Sequence, residues 1–196
     1  MIGALILSFA VIFVAELGDK SQLMALTFAT RYPAIPILIG ITIATAVVHA
    51  MSVLLGAVVA VSLPTDAINI VAGLAFLAFA VWTMRGDSLS DEEQGKAARA
   101  ERGNRSAIIA ASGAFFLAEL GDKTMLATIT LATTHGLFGT WLGSTLGMVA
   151  ADALAILVGR LLGTRLPERT IQIGATVLFV FFGVALILEG LGASPF

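Results

Sequence analysis

The sequence predicts an all-α integral membrane protein with six transmembrane helices, arranged as two inverted three-helix repeats. Three observations support this fold class. The chain of 196 residues is 58% hydrophobic and only 12% charged, whereas a typical soluble domain is about 25% charged. Its apolar residues are concentrated in long segments, and its second half repeats the first. A soluble domain of this length could not remove so much apolar surface from water.

Composition also excludes several functional classes. The formal net charge of −2 offers no basic surface for a nucleic acid backbone. The chain has no cysteine, so it contains no disulfide framework and no thiolate metal site. Residues 1–15 contain no lysine or arginine, whereas a signal peptide begins with a positive region. The apolar start therefore predicts a retained transmembrane helix.

Six segments are long and apolar enough to cross a bilayer, which takes about 20 residues. They cover residues 3–28, 35–61, 67–84, 107–131, 137–162 and 170–190. Proline and glycine mark the turns between them. These markers are Pro33 and Pro36, Leu63-Pro64, Gly136 and Gly139, and Leu166-Pro167.

The charged segment 85–106 separates a first repeat, residues 1–84, from a second, residues 107–196. Its mixed charges favour a solvated connector over a regulatory segment. Nine of the eleven lysines and arginines lie in this linker or in turns on the same side of a six-helix bundle. The positive-inside rule then predicts a cytoplasmic linker and both termini outside.

The two halves align without a gap at an offset of 103 residues. Residues 13–30 and 116–133 are identical at 11 of 18 positions. Because each half has three helices, the second would enter the membrane from the opposite side. Inverted repeats of this kind are typical of secondary transporters, whose shared site lies near the bilayer midplane. A passive scaffold with the same symmetry is the alternative.

Each repeat carries a Glu-Leu-Gly-Asp-Lys motif near the centre of its first predicted helix. The charged residues are Glu16, Asp19 and Lys20, and then Glu119, Asp122 and Lys123. Each would cost roughly 2.5–3.5 kcal/mol in contact with lipid at a helix centre. Spacings of three and four residues predict that the charges of one motif share a helix face. We expect them to face each other, a water-filled cavity or an ion.

Together the motifs hold four carboxylates and two ammonium groups, an excess of two negative charges that a divalent cation would neutralise. Further oxygen donors are available from Ser21, Gln22 and Thr124, and such sites suit Mg²⁺, Ca²⁺ or Mn²⁺. The alternative is glutamate–lysine pairing within each helix. Gly18 and Gly121 either open the helix or admit a neighbouring backbone.

Two more polar residues, His49 and Asp152, occupy equivalent positions in the second and fifth predicted helices. Either could accept a counter-transported proton or extend the cation path. The alternatives are a hydrogen-bonded core imidazole and a structural or interfacial acid. On the fifth helix, four small residues predict close helix packing: Gly139, Gly143, Gly147 and Ala151.

Residues 16–21 and 119–124 resemble the doubled E-Φ-G-D-[KR]-[ST] signature of the Golgi and chloroplast-envelope manganese/calcium transporter family, which includes bacterial manganese exporters. The resemblance covers the whole chain. It implies divalent cation/proton antiport by a protein that is not an enzyme and has no prosthetic group. It also implies that Mn²⁺ or Ca²⁺ is the transported ion, and that the cation ligands are Glu16, Asp19, Glu119 and Asp122.

Alternating access between the repeats is the expected mechanism, with Lys20 and Lys123 limiting the negative charge of the empty site. Two other classes are less favoured. An exporter of amino acids or other small organic solutes would need a roomier and less acidic cavity. An intramembrane aspartyl protease would need Asp19 and Asp122 to share a proton, which the adjacent lysines oppose. The sequence leaves the ion preference, the stoichiometry and the oligomeric state open.

Overall fold

A computed structural model of the chain describes residues 1–29, 32–85, 104–162 and 168–192. Within these ranges the secondary structure is helical and includes no strand, as the sequence predicts. The helices are α1 (Ile2–Glu16), α2 (Lys20–Ala29), α3 (Ala34–Ser62), α4 (Thr65–Arg85), α5 (Asn104–Glu119), α6 (Lys123–Thr134), α7 (Leu137–Leu162) and α8 (Glu168–Gly190). Most of the predicted linker, residues 86–103, and the predicted turn at Leu166-Pro167 lie outside the described residues.

Four helices are long and apolar enough to cross a membrane: α3, α4, and the segments Leu137–Gly159 of α7 and Ile173–Gly190 of α8. Helices α1 and α2 qualify together, but they are bent by 74° at the break between them. In the second half, the segment Ala107–Glu119 of α5 is a shorter apolar helix. The chain is therefore an integral membrane protein, and its described residues include four such spans, or five if the bent pair is counted as one.

Both predicted spans that carry the acidic motif are divided rather than continuous. Helix α1 ends at Glu16 and α2 begins at Lys20, with Gly18 at φ +76° between them. Gly121 has φ +80° at the matching break between α5 and α6. Only glycine adopts this left-handed conformation at little cost. The glycines therefore open the helices, and the prediction that Glu16, Asp19 and Lys20 share one helix face is wrong because the backbone between them is not helical.

The succession of elements recurs at the offset of the sequence repeat. Helices α2, α3 and α4 begin at residues 20, 34 and 65, and α6, α7 and α8 begin at residues 123, 137 and 168. The two breaks, between residues 16 and 20 and between 119 and 123, match as well. Two predicted turn markers are wrong. Pro36 lies in the first turn of α3, and Gly139 lies in the first turn of α7, which begins directly after Gly136.

The principal helix packing joins one half of the chain to the other. Helix α1 packs on α7, α5 on α3, and α4 on α8. Equivalent positions touch in the interior: the ring centroids of Phe76 and Phe179 are 5.8 Å apart, and Thr45 Oγ1 lies 3.3 Å from Met148 Sδ. Contact between equivalent positions is expected of two units related by a two-fold axis.

Glycines determine how closely and in which direction these helices pack. A Cβ added at Gly147 would lie 2.6 Å from the Phe9 carbonyl oxygen, and one at Gly143 would meet the Leu5 backbone. The predicted small-residue row therefore packs against α1, and the two helices run parallel. The order of these contacts brings the end of α1, with its acidic motif, against the middle of α7.

Helices α4 and α8 pack in the opposite sense. A Cβ at Gly73 would meet Gly183, while one at Gly190 would meet the carbonyl oxygen of Asp66. Higher residue numbers in α4 thus contact lower residue numbers in α8, so these two equivalent helices are antiparallel.

Candidate cation site

The two helix breaks bring all four predicted cation ligands into the protein interior. Glu16 is fully buried, Asp19 and Glu119 are each 1% exposed, and Asp122 is 3% exposed. In a continuous helix, successive side chains would point in different directions around the helix axis. The first break bends the chain by 74°, and the second interrupts the helix at the matching position. Both acids of each motif are buried at these breaks. The sequence predicts that the motif charges are buried away from lipid, and the structure shows this for these four carboxylates.

Two ion pairs connect the breaks, and each crosses from one half to the other. The ammonium of Lys123 lies 2.5 Å from Asp19 Oδ1, and that of Lys20 lies 3.5 Å from Asp122 Oδ1. Each lysine therefore reaches the aspartate of the opposite repeat. These two contacts differ from the alternative of glutamate–lysine pairing within one helix. The break separates the glutamate of each motif from its lysine.

The glutamates have different surroundings from the aspartates and from each other. Glu119 Oε2 accepts a hydrogen bond of 2.8 Å from the Thr124 hydroxyl. Both carboxylate oxygens of Glu16 lack a hydrogen-bond partner among the described residues. Charge repulsion acts on Glu16 from Glu119, Asp19 and Asp152, and attraction acts from Lys123. The carboxylates of both halves therefore form a single electrostatic cluster.

The predicted supporting donors are two hydroxyl groups and one amide, and their surroundings differ. The Thr124 hydroxyl serves Glu119, whereas the equivalent Ser21 hydroxyl is buried without a partner in the described structure. The side chain of Gln22 stabilises the break itself. Its Oε1 accepts from the Gly18 backbone N–H at 2.8 Å, and its Nε2 donates to the Ala151 carbonyl at 2.9 Å.

Met125 occupies the position equivalent to Gln22 in the second half of the chain. Its Sδ lies 3.2 Å from the Gly121 backbone nitrogen and accepts that N–H. The same glycine–side-chain contact therefore recurs in both breaks with different chemistry. The repeat alignment was the signal that could have indicated this role, because it pairs Met125 with a glutamine.

His49 and Asp152 are both buried inside the bundle. The Nδ1 atom of His49 lies 3.5 Å from the Thr145 hydroxyl, a contact expected of a hydrogen-bonded core imidazole. Asp152 is different: neither of its oxygens has a hydrogen-bond partner in the described residues, and charge repulsion acts on it from Asp19. Asp152 therefore belongs to the carboxylate cluster, although it lies outside both motifs.

Among the described residues, five buried carboxylates and two lysines meet here, so the cluster carries excess negative charge when its acids are ionised. Within the parts of the chain that the structure describes, no three His, Cys, Asp or Glu side chains are spaced to hold a metal ion together. The two lysines already neutralise one oxygen of each aspartate. The arrangement can exchange these internal cations for an external one, or take up protons.

Comparison with protein-family models gives a match in two ranges of the chain. A family model described as "Divalent cation/proton antiporter GDT1" matches residues 4–91 and residues 107–194. Each matched range contains one acidic motif, and residues 92–106, which are most of the charged linker, separate the two ranges.

Individual relatives align over nearly the whole chain. The chain is 35% identical to a Vibrio cholerae protein named "Putative manganese exporter", over 94% of this chain and 90% of that protein. It is 29% identical to a GDT1-like protein of Synechocystis, over 94% and 96% of the two chains. It is 33% identical to "Protein PAM71, chloroplastic" of Arabidopsis thaliana, over 93% of this chain and 56% of that protein. No solved structure matches the chain.

Proposed function

The chain belongs to the GDT1 family of divalent cation/proton antiporters, and we propose that it moves Mn²⁺ across a bacterial plasma membrane in exchange for protons, with Ca²⁺ as the other candidate ion. Membership of this family makes the protein a transporter rather than an enzyme. The divalent cation is its cargo and not a prosthetic group. The proposed ligands are Glu16, Asp19, Glu119 and Asp122.

The observation that carries this assignment is the buried anionic cluster at the junction of the two helix breaks. Isolated charges in a membrane interior cost several kcal/mol each unless they are paired or hydrated. Among the described residues, lysine ion pairs are observed at Asp19 and Asp122. The remaining acids need protons or a cation for neutrality, which are the two ions that an antiporter exchanges. The same acidity disfavours an exporter of amino acids, since their carboxylates would be repelled.

The helix directions support six spans in two inverted repeats, if each broken pair is counted as one span. The equivalent helices α4 and α8 are antiparallel. Helix α1 runs parallel to α7, and α5 packs on α3 in the matching way. Broken helices at the midplane are a recurrent way for transporters to build an ion site. The distribution of lysine and arginine favours a cytoplasmic linker and external termini.

In this proposal, the cation displaces the lysines as the counter-ion of the aspartates. An entering cation binds the ionised carboxylates while the site is open inward. Movement of one half against the other then exposes the site outward, where protons replace the cation. The protonated carrier returns and releases its protons inside, and the lysines again pair with the ionised aspartates. Hard oxygen donors suit Mn²⁺, Ca²⁺ and Mg²⁺ alike, and Mn²⁺ is favoured because the Vibrio cholerae relative is named for manganese export.

The test is uptake of Mn²⁺ into everted membrane vesicles with an imposed pH gradient. We expect E16Q and E119Q each to abolish gradient-driven accumulation, because each removes a buried carboxylate without changing side-chain volume. The control is D66N, which alters an exposed acid at the start of α4. Normal transport by either glutamate variant, in folded form, would contradict the ligand assignment. Inhibition by amino acids instead of by divalent cations would favour an organic-solute exporter.

A further inference from the structure

Asp152 lies in the middle of α7, outside both acidic motifs. We propose, on the basis of the proposed function, that Asp152 is a fifth carboxylate of the transport site and that it forms with Glu16 the position where an entering divalent cation first binds. The site is then asymmetric, because the equivalent residue of the first half is His49, an imidazole.

The bonding of the five buried acids separates two of them from the others. Asp19 and Asp122 are paired with lysines, and Glu119 accepts the Thr124 hydroxyl. In the described structure, both oxygens of Glu16 and both oxygens of Asp152 lack a hydrogen-bond partner. Carboxylates buried in this way are costly when ionised. These two therefore gain most from a cation, and no existing bond must be broken to bind it.

The two residues lie on elements that are held against each other. Gln22, three residues beyond Asp19, donates from Nε2 to the carbonyl of Ala151, directly before Asp152. Near the middle of α1, the close approach of Gly147 to Phe9 fixes the separation of the helices. Charge repulsion acts between Glu16 and Asp152, which places both carboxylates in one electrostatic environment. The α1–α2 break and the middle of α7 thus form two walls of one site.

Two carboxylates are a chemically sensible first position for a hard divalent cation. Small octahedral ions lose water reluctantly and are commonly held by one or two carboxylates, with water completing the shell. This explains how a cation can enter although no three acidic or histidine side chains of the described residues are spaced to hold one. The aspartates become available only after the cation has displaced Lys20 and Lys123. Asp152 would therefore act before the motif aspartates do.

The test is Mn²⁺ binding to the purified full-length protein, measured from the loss of the free-ion electron paramagnetic resonance signal. We expect D152N to weaken Mn²⁺ binding at least about tenfold, the lower limit seen even when indirect metal contacts are removed. D152E, which retains the charge, should stay within about threefold of wild type. D66N, which removes an exposed carboxylate, is the matched control and should bind like wild type.

Selectivity separates direct binding from a structural role. If Asp152 contacts the cation, D152N changes the ratio of Mn²⁺ to Ca²⁺ affinity, whereas a variant that only loosens the fold lowers both affinities equally. Wild-type affinity in D152N, or an unchanged ratio with both affinities reduced, overturns the proposal. If E16Q abolishes binding while D152N does not weaken it, the proposed function stands and only this inference fails. If E16Q also binds normally, the proposed site is wrong.

A second measurement needs no variant and covers the case in which D152N does not fold. A hydrophobic carbodiimide labels carboxyl groups in membrane interiors, and peptide mass spectrometry reports the modification at each acid. We expect Mn²⁺ to reduce modification of Asp152 and Glu16 over the same concentration range. An Asp152 modification level that is the same with and without saturating Mn²⁺ overturns the proposal.

Discussion

The two helix breaks have almost the same sequence, yet their carboxylates are bonded differently. In the second break, the Thr124 hydroxyl donates to the Glu119 carboxylate. In the first break, neither the Glu16 carboxylate nor the Ser21 hydroxyl has a hydrogen-bond partner among the described residues. One methyl group distinguishes threonine from serine, and the surrounding helices determine which hydroxyl reaches its glutamate. The first break therefore presents an available acid, and the second presents one that is already held.

The two lysines also differ, in their burial and in the length of their ion pairs. Lys123, from the second break, is 4% exposed and lies 2.5 Å from Asp19. Lys20, from the first break, is 20% exposed and lies 3.5 Å from Asp122. The two motifs are nearly identical in sequence, but the packing around them differs. Substitutions at equivalent positions should consequently have unequal effects.

The largest difference is expected between the lysines. We predict that K123Q lowers the free energy of unfolding by about 3–5 kcal/mol, because it leaves Asp19 buried without its ammonium partner. K20Q should cost about 1 kcal/mol, because its ion pair is longer and partly hydrated. Reversible unfolding in mixed detergent micelles, followed by circular dichroism, measures both values.

The lysine comparison has an internal control in the double variant D19N/K123Q, which removes both charges of the buried pair. It should recover much of the stability lost in K123Q, because no unpaired charge remains. Equal losses in K123Q and K20Q would mean that the two pairs are energetically alike.

The hydroxyl groups should give a smaller difference. We predict that T124A costs about 1.5–3 kcal/mol, the range for a hydrogen bond to a charged group, and that it reduces Mn²⁺ transport because Glu119 loses its orientation. S21A should change stability by less than about 0.5 kcal/mol, because the buried Ser21 hydroxyl has no hydrogen-bond partner among the described residues and its removal leaves no other group unsatisfied. Unfolding and vesicle uptake are measured on the same preparations, with T124S as the variant that retains the hydroxyl. A larger effect from S21A than from T124A would reverse the assignment.

The smallest difference concerns the side chains that accept the glycine N–H groups. Q22M should cost about 1–2 kcal/mol, because Ala151 loses its donor and Gly18 receives a weaker sulfur acceptor. M125Q should be neutral or stabilise by up to about 1 kcal/mol, because an amide oxygen replaces sulfur at Gly121. Thermal unfolding of both variants, compared with wild type in the same detergent, gives the sign. Destabilisation by M125Q that equals that of Q22M would mean that side-chain volume, and not hydrogen bonding, controls these positions.

Much of the site could be anticipated from residue identity and spacing. The burial of Glu16, Asp19, Glu119 and Asp122 follows from placing charges in apolar segments, since lipid contact would be too costly. The ion-pair partners could not be anticipated, because each lysine reaches an aspartate about 100 residues away. The cation ligands themselves remain a prediction, as does the inverted arrangement of the repeats.

By itself, the sequence determined the membrane environment, the duplication, the helical class and the acidity of the interior. These properties depend on hydropathy, repeated residue identity and the cost of burying charge, all of which are readable along one dimension. Only the tertiary structure decided that the motifs interrupt their helices, that lysines and aspartates pair across the halves, and that Asp152 joins the acids while His49 contacts a threonine. The physical reason is that a local pattern limits what a residue can bind, whereas packing of distant segments selects which partner it meets.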